Sequence, residues 1–198
     1  MKRLIVASNN EHKISEIKEI LKDFPLEIIS LKEAGIDIDV VENGSTFMEN
    51  AHIKAREIHK LVGDCMIMAD DSGLMVDILN GEPGVYSARY SGEHGNSKKN
   101  NEKLLQKLKE IKLEDRKAKF VCAIELIVNK DIVINVQGEV KGYIVEEERG
   151  KDGFGYDPLF YIPEFGKTFA EMSSDEKNAI SHRGRALKEL QEKMQELL

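Results

Sequence analysis

The sequence predicts an α/β protein built on a mixed sheet with helices on its faces. Three observations carry that expectation. Short apolar runs at Leu4–Ala7, Leu26–Leu31 and Met66–Ala69 alternate with segments of helical period, the pattern of parallel strands joined through helices. Past Lys119 the pattern changes to closely spaced runs at Lys119–Val128, Ile132–Val136 and Val140–Val145, as in an antiparallel extension. No repeat, low-complexity tract or Pro/Gly/Ser linker interrupts residues 1–198, so one domain is expected over the whole length.

Taken in order, Leu4–Ala7 reads as a buried strand followed by the polar turn Ser8-Asn9-Asn10. Ile14, Ile17, Leu21 and Phe24 then recur at helical spacing, so a helix starts near Glu11. Leu26–Leu31 is a second strand. Thr46 and Glu49 have capping-box spacing, at the head of a helix whose apolar face is Phe47, Ala51, Ala55, Ile58 and Val62, with Gly63 at its end. Met66–Ala69 is a third strand, ending at Asp70 and Asp71. Gly81–Gly95 is glycine-rich and irregular, hence a loop, and Asn100–Ile111 is an amphipathic helix. The tripeptide Asn129-Lys130-Asp131 marks a hairpin turn. Gly153–Ile162 is strand-like, which would put Phe154 and Tyr156 on one strand face, although Asp157 before Pro158 makes a turn reasonable too. From about Asp175 the chain is helical, with Leu187, Leu190, Met194 and Leu197 as its stripe.

The net charge of −7 disfavours nonspecific binding to nucleic acid or an anionic membrane, so an anionic ligand needs a local basic pocket or a metal ion. The apolar run after Met1-Lys2-Arg3 is too short for a signal peptide, and no stretch has the length of a membrane span. Cys65 and Cys122 sit inside apolar runs and read as core thiols, so the chain is expected to be cytoplasmic.

Four short stretches stand out chemically. In Ala7–Lys13 a strand runs into a helix start, which presents unpaired backbone N–H groups to an anion. Lys13 opposes the helix dipole there, which makes sense if its ammonium points at an anion; a plain Asn cap with a solvated lysine is the alternative. At Asp70-Asp71, strand alternation sends the two carboxylates to opposite faces. Together with Glu42 they form a hard oxygen set of the kind Mg²⁺ favours, although an Asx turn with solvated acids reads the local sequence equally well. In Gly153–Tyr161, glycines beside Phe154 leave its ring open to stack on a base. In Glu176–Ala186, Lys177, His182, Arg183 and Arg185 concentrate positive charge in an otherwise acidic chain, although each singly also reads as the polar surface of a helix capped by Ser181.

Read together, Ser8-x-Asn10-x-x-Lys13, Ala69–Gly73, Gly153–Pro158 and Glu176–Gly184 closely resemble the inosine triphosphate pyrophosphatase family, the XTP/dITP diphosphatases. The likeness runs from about Ile5 to Leu187 and includes Phe47–Ala55 and Pro83–Gly92. It implies a three-layer fold, two lobes with a central cleft, a Mg²⁺ requirement and a homodimer. The implied reaction converts ITP, dITP or XTP to the monophosphate and pyrophosphate. Carried over residue by residue, Ser8, Asn9, Asn10, Glu11, His12 and Lys13 contact the triphosphate, and Ser72 also meets substrate. Asp71 is the general base and a metal ligand, with Glu42 and Asp70 as further ligands. Phe154, Gly155, Tyr156, Asp157, Lys177, His182 and Arg183 line the nucleoside side.

Overall fold

The computed structural model describes residues 2–63 and 65–196. β1 (Lys2–Val6) pairs in parallel with β2 (Leu26–Ser30) and with β3 (Met66–Val76), the connections carrying α1 (Glu11–Ile20) and α2 (Phe47–Val62). β4 (Lys117–Asn129), β5 (Ile132–Ile144), β6 (Phe160–Ile162) and β7 (Lys167–Thr168) complete a seven-stranded mixed sheet ordered β2-β1-β3-β4-β5-β6-β7. β6 is antiparallel to both β5 and β7. The remaining helices are α3 (Ser97–Leu108), α4 (Ser174–Ile180) and α5 (His182–Gln195).

The chain divides into two compact units interleaved in sequence. The first takes residues up to Asp71, then Cys122–Gly138 and the chain from Arg183 onward. Its strands bury both faces. Leu4, Val6, Met66, Met68, Cys122 and Ile124 pack with Ile14 and Ile17 of α1 and with Leu187, Leu190 and Met194 of α5. The alternate residues Ile5, Ala7, Ile67 and Ala69 pack with Ala55 and Ile58 of α2. This explains why β1 and the start of β3 read as unbroken apolar runs: period-two alternation needs an apolar side chain at every position when both faces are covered. The second unit, Ser72–Val121 with Glu139–His182, has its own core, in which Leu104 and Leu108 of α3 meet Phe120, Ile144, Tyr156, Phe160 and Phe169.

Several elements differ from expectation. β3 does not end at the acids. It runs 11 residues, through Asp70-Asp71-Ser72-Gly73 to Val76, because buried partners and ion pairs satisfy the polar residues without breaking the ladder. Ile132–Val136 and Val140–Val145 are one strand, β5. Gly153–Leu159 is turn rather than strand, and only Phe160–Ile162 extends. Gly153 and Gly155 adopt φ of 75° and 60°, and a Cβ at Gly153 would lie 2.3 Å from Asp157 Oδ2. The capping box at α2 is half formed: Thr46 accepts from Glu49 N–H, but the Glu49 carboxylate turns to Ser45. The C-terminal helix is two helices, broken where Ser181 is extended, and Leu197 lies outside the described residues.

Candidate active site

In the first unit the loop after β1 builds a helix cap. Asn10 Oδ1 accepts from Lys13 N–H at 3.2 Å, and Ser8 Oγ accepts from Asn10 N–H at 3.1 Å. Glu11 and His12 follow on the exposed first turn, and Asn9 is exposed before it. Lys13 does point at an anion. Its ammonium lies 3.0 Å from Asp70 Oδ2, reached from α1 across the face that also carries Val6 and Met68.

The two acids face opposite ways, as alternation requires. Asp70, with its side chain 0% exposed, sits on the α1/α5 face, where Arg183 Nη2 joins Lys13 on Oδ2 at 3.2 Å. Arg183 itself is buried and also binds Glu16 of α1. Burial alone would push the Asp70 carboxyl up, but Lys13, Arg183 and Lys54 outweigh it and hold the group well below the usual carboxylate range. Its other oxygen, Oδ1, is buried with no hydrogen-bond partner among the described residues.

Asp71 is half-buried on the α2 face. Asn50 Nδ2 donates to its Oδ2 at 3.0 Å. Burial raises the Asp71 carboxyl, and the nearby Glu42 charge adds to that, against the pull of Lys13, Lys54 and the Asn50 bond. The net effect places one acid below and its neighbour above the ordinary value. Lys54 completes the set: its ammonium lies 3.1 Å from Glu42 Oε2 and donates to the Asp70 carbonyl at 2.9 Å.

A second cluster lies within the second unit. Asp157 Oδ2 accepts from Phe154 N–H at 2.9 Å and from Lys177 Nζ at 2.7 Å, and both side chains of that ion pair are buried. The same ammonium stands 4.8 Å over the half-buried Phe154 ring. Tyr156 is buried, its hydroxyl donating to the Ser87 carbonyl, so Phe154 and Tyr156 do not share a strand face. His182 stacks on Phe120 at 4.7 Å, with Phe169 parallel beyond. Gly155 and Ser72 are half-buried.

The structure thus groups Lys13, Asp70, Asp71, Glu42 and Arg183 in one unit, and Phe154, Asp157, Lys177 and His182 in the other. The sequence reading missed Lys54, Asn50 and Glu16. Lys54 and Asn50 left a trace: they follow Phe47 at helical spacing, polar residues on the inward face of an amphipathic helix. Glu16 left none, since an isolated glutamate between Ile14 and Ile17 reads as solvated.

An acid pair in mid-strand, flanked by lysines beside a capped helix N-terminus on an open α/β sheet, is the candidate active site, and the fold is that of an α/β hydrolytic enzyme. The chain belongs to the Ham1 family, whose model matches residues 4–193. A dITP/XTP pyrophosphatase of Clostridium perfringens is 60% identical over 203 residues, covering 100% of both chains. One from Clostridium tetani is 54% identical over 98% of this chain and 96% of its own. Among solved structures, the Staphylococcus aureus Ham1 protein aligns with a TM-score of 0.88 at 43% identity over the whole of both chains. A nucleoside-triphosphatase / dITP/XTP pyrophosphatase from Mycobacterium abscessus aligns at 0.76 and 44%, covering 95% of this chain and 98% of its own.

Proposed function

We propose that this protein hydrolyses non-standard purine nucleoside triphosphates such as ITP, dITP and XTP to the monophosphate and pyrophosphate, cleansing the nucleotide pool. The observation that carries the reading is Asp71: a carboxyl raised by burial, beside Lys13, Lys54 and Glu42, in a family whose relatives bear that activity in their names.

Asp71 accepts a proton from water as the water oxygen bonds to the α-phosphorus. The bond from that phosphorus to the α–β bridging oxygen breaks, and pyrophosphate leaves with its electron pair. Lys13 and the backbone amides of Asn9 and Glu11 take the triphosphate charge at the start of α1. Among the described residues no three His, Cys, Asp or Glu side chains converge on one point. Mg²⁺ asks for less, one or two carboxylates plus substrate phosphates and water, so Asp71 and Glu42 would hold it, whereas Asp70, expected as a further ligand, faces the other side of the sheet with its carboxylate on Lys13 and Arg183 and does not join them. Bound there, the ion would neutralise charge developing on the phosphates.

Purine recognition is assigned to Phe154, Asp157, Lys177 and His182. A 6-oxo acceptor separates inosine and xanthine from adenine, and a donor facing it rejects ATP by leaving a buried group unpaired. Arg183 is assigned as the anchor of Asp70, because Asp70 and Glu16 engage both terminal guanidinium nitrogens. The family likeness also supports a homodimer. A cytoplasmic setting is in keeping with described helices that are not long and apolar enough to cross a membrane.

The test is hydrolysis of ITP in ¹⁸O-water by the intact protein and by Asp71→Asn. Label is expected in the monophosphate, with Asp71→Asn folded and nearly inactive. Label confined to pyrophosphate moves the attack to the β-phosphorus, and a fully active Asp71→Asn removes Asp71 from the base role.

A further inference from the structure

Asn50 bonds Asp71 and also Gly44, two residues beyond Glu42. It lies in the first turns of α2, 1% exposed, a polar side chain placed among Phe47, Ala51 and Ala55 on the buried side of the helix. Its amide is fully directed. Nδ2 donates to Asp71 Oδ2 at 3.0 Å, and Oδ1 accepts from Gly44 N–H at 2.8 Å. One partner is an acceptor and the other a donor, so the amide has a single orientation that satisfies both. Gly44 lies two residues beyond Glu42 and is built for this approach: a Cβ there would stand 2.7 Å from Asn50 Oδ1 and 2.7 Å from Glu49 Cβ.

From these contacts we infer that Asn50 is a positioning residue for the hydrolysis. Its carboxamide fixes the rotation of the Asp71 carboxylate and, through Gly44, ties the loop carrying Glu42 to the same point. A buried carboxamide with both ends committed is rigid, because each alternative rotamer leaves a buried donor or acceptor unpaired. The helix supplies the rest of the rigidity. Asn50 N–H bonds the carbonyl of the α2 cap residue Thr46 at 3.1 Å, so the amide is mounted on the best-anchored turn of α2. Asp71 lies at the centre of β3, whose backbone is equally fixed. The two acids are thereby held differently. Asp70 is held by charge, from Lys13 and Arg183, whereas a neutral amide holds Asp71 in place without adding a further charge beside it. The inference rests on the assignment of Asp71 as the base.

The experiment measures kcat and KM for ITP in Asn50→Asp and Asn50→Ser, each alone and combined with Asp71→Asn, with thermal melts of every variant. Asn50→Ser removes the carboxamide without adding charge and is the decisive variant, whereas Asn50→Asp keeps an acceptor for Gly44 N–H but sets a second carboxylate against Asp71 Oδ2. Both single variants are expected to lower kcat by about 10- to 100-fold with KM changed less than about threefold, the range seen when the residue orienting a catalytic ligand is lost. In the Asp71→Asn background, residual turnover followed by radiolabelled pyrophosphate release is expected to fall no further. A cooperatively melting Asn50 variant with undiminished kcat overturns the inference, as does an equal loss in the Asp71→Asn background. Full turnover by Asp71→Asn alone would instead overturn the base assignment. If neither Asn50 variant melts cooperatively, Gly44→Ala, which presses on the Oδ1 end of the same amide, decides the point: a lowered kcat with KM unchanged supports it and an unchanged kcat refutes it.

Discussion

Replacing Asp70 by Asn keeps the shape of the side chain and removes the charge that Lys13 and Arg183 share. The Asp70 side chain is 0% exposed, with the two cations at 3.0 and 3.2 Å on a single oxygen. Arg183 retains Glu16, whereas Lys13 loses its ion pair with Asp70. Removing one partner of a buried pair costs about 3–5 kcal/mol, chiefly through the charge left behind. The surviving Glu16 contact and the 15% exposure of Lys13 put the expected loss near the low end, about 3 kcal/mol. For a chain of 198 residues, at about 2–4 °C per kcal/mol, that lowers Tm by about 6–12 °C. The pH dependence follows from the sign of the shift. The folded carboxyl lies below its unfolded value of about 3.9, so its stabilisation is complete well above that value and is lost as pH falls through the depressed one. The difference between native protein and Asp70→Asn is therefore flat from about pH 8 to pH 6 and shrinks only in strong acid. Urea denaturation across that range measures it, and a double-mutant cycle with Lys13→Met isolates the pair, with an expected coupling of about 1–3 kcal/mol. A loss below about 1 kcal/mol at pH 7 would refute the reasoning, as would a difference that vanishes between pH 7 and pH 5.

Lys54→Met removes a cation that holds the Asp71 carboxyl down, so that group rises further. A base must be deprotonated to act, so the acid limb of kcat/KM is expected to move to higher pH than in the native protein, and an unmoved limb refutes the assignment. Phe154→Ala removes the ring under the Lys177 ammonium. Loss of a base-stacking platform costs about 1–3 kcal/mol, so KM for ITP is expected to rise about 5- to 150-fold; an unchanged KM places the base elsewhere.

Much of this was legible in the chain. The strands and α2 announced themselves because a doubly covered sheet needs apolar residues at every position and a surface helix needs them on one stripe. The opposed directions of Asp70 and Asp71 followed from period two alone. The anion that Lys13 seeks was inferable from its misfit with the helix dipole, yet the partner the fold supplies within the chain is Asp70 rather than a phosphate. Which cation serves which carboxylate was decided only by tertiary structure. Glu16 and Arg183 stand 167 residues apart, and no local pattern pairs them. The turn at Gly153–Leu159 was legible only as an alternative: Asp157 before Pro158 allowed it and the aromatic composition suits a strand, and the buried Lys177–Asp157 pair with the Phe154 N–H bond is what folds it back. Local periodicity determines elements and the faces they bury, because those depend on neighbours in sequence. The strengths of charges, which fix the low Asp70 and the high Asp71, depend on burial and on partners brought from distant segments, and only the folded chain sets those.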